Sequence, residues 1–173
     1  YESDVTLPDA EETADDPGAA NTFSGVARSN YVSLRTIPIV VKGLSGVSKQ
    51  INALLDDGDG VTMLSPEVAS YLKLTGDKSN LKVKGVGGIE KCFNSLRAQV
   101  KVASLNGSFM RKITVNTFPK PAGDLQLFDW NEAKHQWSHL RDLPFFAPLD
   151  TKVDMIIGND YPTLMESICE RPG

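Results

Sequence analysis

Ala53-Leu54-Leu55-Asp56-Asp57-Gly58 is an apolar run that stops abruptly at two carboxylates and a glycine. It reads as a strand that delivers an acid at its end, with Gly58 allowing close backbone approach and free amides around the carboxylate. Two later stretches give the run its weight by their order and distance. Lys84-Gly85-Val86-Gly87-Gly88-Ile89 is a glycine-rich turn between alternating segments, and Met155-Ile156-Ile157-Gly158 is a second apolar strand closed by glycine.

Outward from these landmarks, the 173-residue chain is long enough for one domain with a proper core. Seven acids (Glu2, Asp4, Asp9, Glu11, Glu12, Asp15 and Asp16) fall in the first sixteen residues, and no Lys or Arg precedes Arg28. Residues 1–26 therefore read as a disordered acidic leader, too polar to offset the entropy of ordering, and 27–173 as the folded domain. Setting those acids aside leaves 15 acidic against 18 basic residues, too small an excess to point to nucleic acid. No apolar run reaches the ~18 residues that read as a membrane span. The N-terminal stretch lacks the apolar region of a signal peptide, so a cytoplasmic site is expected, in the cell or within virus-like particles. Two cysteines, Cys92 and Cys169, make no disulfide framework, and Asn106-Gly107-Ser108 matches the glycosylation sequon without a secretory context.

From Tyr31 the residues Val32, Leu34, Thr36, Pro38 and Val40 share one strand face, and a turn near 41–46 leads into Ile51–Leu55 as a hairpin. Ser65-Pro66-Glu67 is a helix start, with Val68, Tyr71 and Leu72 at helical spacing and an end near Leu74-Thr75-Gly76. Alternation predicts strands at Leu81–Lys84, Leu96–Val102 and Arg111–Val115. The stretch from Pro119 to Pro148 carries Trp130, Trp137, Phe145 and Phe146. A structureless loop of ~30 residues is improbable in a compact domain, so a helix near Asn131–Leu140 is expected there, with the aromatics packed on the body. The expectation is a mainly β, closed barrel with one or two short helices and one lobe per chain.

Two carboxylates hydrolyse a peptide when they lie close enough to share a proton, one acting as base on water while the other polarises the carbonyl. One strand-end Asp per chain supplies half of such a pair, and a twofold homodimer brings two copies of Asp56 face to face. Asp56 is the candidate catalytic residue, with Asp57, Gly58 and Asp59 shaping its loop. Gly85, Val86, Gly87 and Gly88 read as the tip of a flap that closes over a polypeptide substrate. Ile156, Ile157 and Gly158 form a core strand supporting the site.

The chain resembles a retropepsin, and more narrowly the peptidase domain of Pao/BEL-type retrotransposons, over roughly Leu34 to Met165. The resemblance is carried by Leu54-Leu55-Asp56-Asp57-Gly58, Val83-Lys84-Gly85-Val86-Gly87-Gly88, Trp137-Ser138-His139-Leu140-Arg141-Asp142-Leu143-Pro144 and Ile156-Ile157-Gly158-Asn159-Asp160. It implies a retropepsin-like barrel and a homodimeric aspartic endopeptidase that matures a Gag-Pol-type polyprotein without a cofactor or metal. Partners would be a second copy and polypeptide substrate, with no nucleic acid or membrane. Two positions depart from the pattern. Asp57 stands where retropepsins usually carry Thr or Ser, and an ionised carboxylate only accepts hydrogen bonds. Asp59 stands where a small residue is usual, so a dimer would gather six carboxylates near its axis and favour acidic pH.

Other readings are weaker or stay open. A retropepsin-derived domain without catalysis, serving dimerisation or peptide binding, is the alternative function. Asp56-Asp57-Gly58-Asp59-Gly60 fails the EF-hand spacing, because with Gly60 sixth the first and twelfth ligand places fall on Leu55 and Pro66. His135 and His139 share a helical face but lack a third ligand at zinc spacing. Gly85-Val86-Gly87-Gly88 lacks the spacing of a dinucleotide loop.

Overall fold

The computed structural model describes residues 34–84, 88, 90–123, 125 and 127–167. The acidic leader expected over 1–26, the Gly85, Val86 and Gly87 of the expected flap tip, and Cys169 lie outside the described residues.

The predicted hairpin is β1 (Thr36–Lys42) and β2 (Ser48–Leu55), antiparallel from Thr36↔Leu54 to Lys42↔Ser48. Its turn uses Gly46 at φ 88°, a left-handed conformation that glycine adopts without strain. The core-facing side chains of β1 are Ile39 and Val41, while Thr36, Pro38 and Val40 are half-buried on the other face. After β3 (Met63–Leu64) comes α1 (Pro66–Tyr71), whose Ser65 cap accepts the Val68 N–H at 3.3 Å. The helix ends before Leu74, and Gly76 opens a strand instead of closing the helix. That strand, β4 (Gly76–Lys84), approaches β5 (Glu90–Ala103) so closely that a Cβ at Gly76 would stand 2.1 Å from the Arg97 carbonyl oxygen. β6 (Met110–Thr117), the single-turn α2 (Trp130–Ala133) and β7 (Met155–Ile157) complete the set among the described residues.

The seven described strands form one sheet in the order β1-β2-β7-β3-β6-β5-β4, and β1 also pairs with β5, from Val40↔Ala103 to Lys42↔Lys101. That extra pairing closes six strands into a ring, which leaves no free edge within it. β4 stays outside the ring, paired with the first half of β5 from Gly76↔Ala98 to Lys84↔Glu90. The result is the mainly β, closed barrel with short helices that the sequence pattern predicts, with one hairpin projecting from it.

Side chains of β2, β3 and β7 alternate between two clusters. Ala53, Leu64, Met155 and Ile157 join the main core with Val41, Val68, Leu72, Val100 and Val115. Leu54, Met63 and Ile156 point into the second, with Val153, Leu81 and Phe118 around them. These central strands are covered on both faces, which is why they read as unbroken apolar runs.

The described residues between Phe118 and Asp154 do not form the single helix expected over 131–140. α2 is capped by Asp129, whose carboxylate accepts the Asn131 and Glu132 N–H groups, and is followed by 3-10 turns at Lys134–Gln136 and Ser138–Leu140. Trp137 between them is extended, at φ −121° and ψ 120°. Its ring lies 5.8 Å from Trp130, which also stacks on Phe145 at 5.9 Å. Aromatic packing thus wins over the helical pattern, and His135 and His139 lie in separate turns. Between these aromatics and the barrel is a cavity of about 510 Å³ lined by Ile37, Ile39, Leu105, Trp130, Phe145 and Leu164.

Candidate active site

Asp56 follows directly on the last residue of β2, where the parallel β2–β7 pairing (Ala53↔Met155, Leu54↔Ile156, Leu55↔Ile157) runs out. Its backbone N–H continues the ladder to the Ile157 carbonyl at 3.0 Å, so its Cα is placed by the central sheet. Beyond it the chain turns sharply. The Asp59 N–H reaches the Asp56 carbonyl at 3.3 Å, and the Gly58 N–H donates to Asp56 Oδ1 at 2.9 Å. A Cβ on Gly58 would sit 3.1 Å from that same oxygen, so glycine leaves the carboxylate room as well as a donor. Asp56 is half-buried, with Oδ1 held in the loop.

The loop is braced from below by the end of β7. The Asn159 N–H donates to the Asp59 carbonyl at 2.7 Å, and the Tyr161 N–H to that of Gly158 at 3.0 Å. Gly158 is packed so tightly that a Cβ would stand 2.7 Å from the Asp59 oxygen and 3.0 Å from the Val61 backbone. Thr62, wholly buried, links the two segments through its side chain. Its hydroxyl accepts the Gly158 N–H at 3.1 Å and donates to Asp160 Oδ1 at 2.6 Å, while its own N–H reaches Asp160 Oδ2 at 3.1 Å.

The two remaining acids of the loop differ in setting. The Asp59 carboxyl is pushed up from its ordinary value, first by burial and then by the charge of Asp56. Asp57 is exposed and lies 3.6 Å from the Arg35 guanidinium, whose residue is itself fixed beside the loop because its carbonyl accepts the Leu55 N–H at 2.9 Å. Among the described residues no group of three or more His, Cys, Asp or Glu side chains could hold a metal ion, and no helix is long and apolar enough to cross a membrane.

The structure therefore places Asp56, Asp57, Gly58 and Asp59 in one loop, with Ile156, Ile157 and Gly158 directly alongside it. Gly88, at φ 79°, lies in the turn of the β4–β5 hairpin. Arg35, Asn52 and Thr62 are the residues that sequence reading passed over. Thr62 and Asp160 are 98 positions apart, and nothing local marks them as partners, although Asp160 closes the Ile-Ile-Gly-Asn-Asp run. Asn52, 1% exposed, donates to the Lys152 and Asp150 carbonyls and to Asp150 Oδ1, and accepts the Leu149 N–H.

No family model matches the sequence, and no curated protein matches it. Among solved structures, the chain is similar to EIAV protease complexed with the inhibitor HBY-793, at 16% identity and a TM-score of 0.44. The match covers 83% of this chain and 99% of that one.

Proposed function

We propose that this chain is an aspartic endopeptidase of the retropepsin type, from a Pao/BEL-like retrotransposon, which acts as a homodimer on a Gag-Pol-type polyprotein. The observation that carries the proposal is the setting of Asp56: a carboxylate at the end of a central strand, its amide fixed to Ile157 and its Oδ1 held by the Gly58 N–H. Among the described residues, a single chain offers one such carboxylate in this setting. Twofold pairing supplies the second, and the two then share one proton, since like charges in contact do not both ionise. The shared site takes a proton from water as it attacks the peptide carbonyl and returns one to the leaving amine. The β4–β5 hairpin is the candidate flap, closing over an extended polypeptide and excluding water. The protein would work in the cytoplasm or inside virus-like particles, with no cofactor.

A second reading has its own observation. Asp57, where a hydroxyl residue is usual, already accepts a partner in Arg35. A domain retired from catalysis and kept for dimerisation or peptide binding would tolerate that change.

The test compares cleavage of a polyprotein-derived substrate by this chain and by Asp56→Asn from acidic to neutral pH, with pepstatin added and sedimentation run in parallel. Pepstatin-sensitive cleavage by a dimer, lost in Asp56→Asn, supports the endopeptidase. A folded dimer that binds the substrate without cutting it supports the second reading.

A further inference from the structure

We propose that Arg35 is a positioning residue of the dimer junction, supplying the donor and the counter-charge that Asp57 needs in order to stand in the place of a hydroxyl side chain. The inference rests on the homodimeric reading above.

It begins from an imbalance of hydrogen-bonding capacity. A Thr or Ser after the catalytic Asp can both donate and accept across a twofold axis, so two copies satisfy one another. Two ionised Asp57 side chains can only accept, and their like charges repel. Asp56 and Asp59 add further negative charge in the same loop, so six carboxylates would converge when two copies meet. A cation held beside Asp57 is therefore required at the junction.

Arg35 meets this requirement. Its guanidinium lies 3.6 Å from Asp57 Oδ2 within one chain, and its backbone is pinned one residue before β1 by the Leu55 N–H. Its five N–H donors exceed what a single carboxylate can use, leaving capacity for a group of the second copy. In the isolated chain the pair is exposed, with the side chains 48% and 80% accessible, and such a pair contributes little. Its value appears on association. An Asp57 buried between two copies without a cation is an unpaired charge in a dry interface, whereas the Arg35-paired form enters it neutralised. Two Arg35 residues then offset two of the six carboxylates.

The experiment is a double-mutant cycle read as dimer affinity by sedimentation and as cleavage at matched protein concentrations. It uses the chain as it stands, with Arg35→Gln, Asp57→Thr and the double variant, each confirmed folded by circular dichroism. Arg35→Gln is expected to weaken the dimer by about tenfold or more, the scale of losing one partner of a desolvated charge pair. In the Asp57→Thr background, which needs no cation, the same change is expected to shift affinity by less than about threefold, as two uncoupled sites would. Arg35→Lys should restore part of the affinity, because it returns the charge without the planar fork. Equal losses in both backgrounds would show Arg35 to be only a structural residue at the barrel edge and overturn the proposal, as would a dimer indifferent to Arg35→Gln. If this chain and Asp57→Thr both remain monomeric, the homodimeric reading itself fails, and this inference fails with it.

Discussion

Replacing Thr62 with Val isolates the brace beneath the Asp56 loop. The two side chains have nearly the same shape, so the substitution opens no cavity and its cost is polar. Two hydrogen bonds vanish: the hydroxyl donation to Asp160 Oδ1 at 2.6 Å and the acceptance of the Gly158 N–H at 3.1 Å. Asp160 is exposed, so water takes over much of the first bond. Gly158 is buried under Asp59 and Val61, and its N–H is left without an acceptor. An orphaned buried donor costs about 1–3 kcal/mol, and the partly rehydrated bond to Asp160 adds about 1 kcal/mol, giving about 2–4 kcal/mol in total. For a domain of this size each kcal/mol lowers Tm by about 4 °C, so Thr62→Val should melt roughly 8–16 °C below the parent. Thr62→Ser keeps the hydroxyl and loses one buried methyl, worth about 1 kcal/mol. Thermal unfolding followed by circular dichroism on the three proteins decides the matter. If Thr62→Val melts within a few degrees of the parent, or Thr62→Ser falls as far as Thr62→Val, the hydroxyl is not the brace.

Three further outcomes follow from the same geometry. Asn52→Leu should leave the Leu149 N–H and the 150 and 152 carbonyls without their partner, at a cost of about 2–4 kcal/mol, and limited proteolysis should then cut the 118–154 segment first. Gly158→Ala must push the Asp59 carbonyl and the Val61 backbone aside and is expected to cost about 1–3 kcal/mol in denaturant titration, with cleavage lost more steeply than stability. Asp59 is an acid whose folded pKa is raised above its ordinary 3.8, so the folded state binds more protons than the unfolded chain as pH rises through that interval. Stability contributed by its protonated form is therefore present at low pH and lost as pH rises through the raised value. Asp59→Asn should melt above the parent at neutral pH, with the difference shrinking as pH falls toward 3.8.

How far the sequence spoke depended on whether a signal was local. The β1–β2 hairpin was legible because alternation and a glycine turn lie within twenty residues of each other, and Asp56 stood out because an apolar run ended on it. β3 was not legible, since two residues, Met63 and Leu64, are too few to show a period. Gly76 looked like a helix stop because glycine ends helices, yet its role is steric, fixed by an Arg97 carbonyl 21 positions away in the chain. Asn52 reads as an ordinary outward polar residue between Ile51 and Ala53, but it is buried, and its partners lie 97 to 100 residues further on. The helix expected over 131–140 failed for the converse reason. Its local pattern was real, but the Trp130, Trp137 and Phe145 contacts outweighed it.

These long-range ties explain how so short a strand pair can hold the Asp56 carboxylate in place. β2 and β7 share only three residue pairs, and parallel pairing is the weaker kind. A slip of one residue would exchange Leu54 and Ile156 for Leu55 and Ile157 between the two clusters and carry Gly158 away from the close approach to Asp59 and Val61 that its missing Cβ permits. Both ends of the pair are locked against that slip. Before it, Asn52 holds residues 149–152, the Asp154 N–H donates to the Asn52 carbonyl at 3.1 Å, and the Asp154 carboxylate accepts the Ser65 hydroxyl at 2.8 Å. After it, Thr62 and Asp160 clasp across Gly158. Asp56 sits between the two locks, its amide on Ile157, so its position is set by side chains that never touch it. On the proposed function, loosening either lock should therefore reduce cleavage through misplacement of Asp56 even where the barrel remains folded, since reacting groups displaced by ~1 Å lose about a hundredfold in rate.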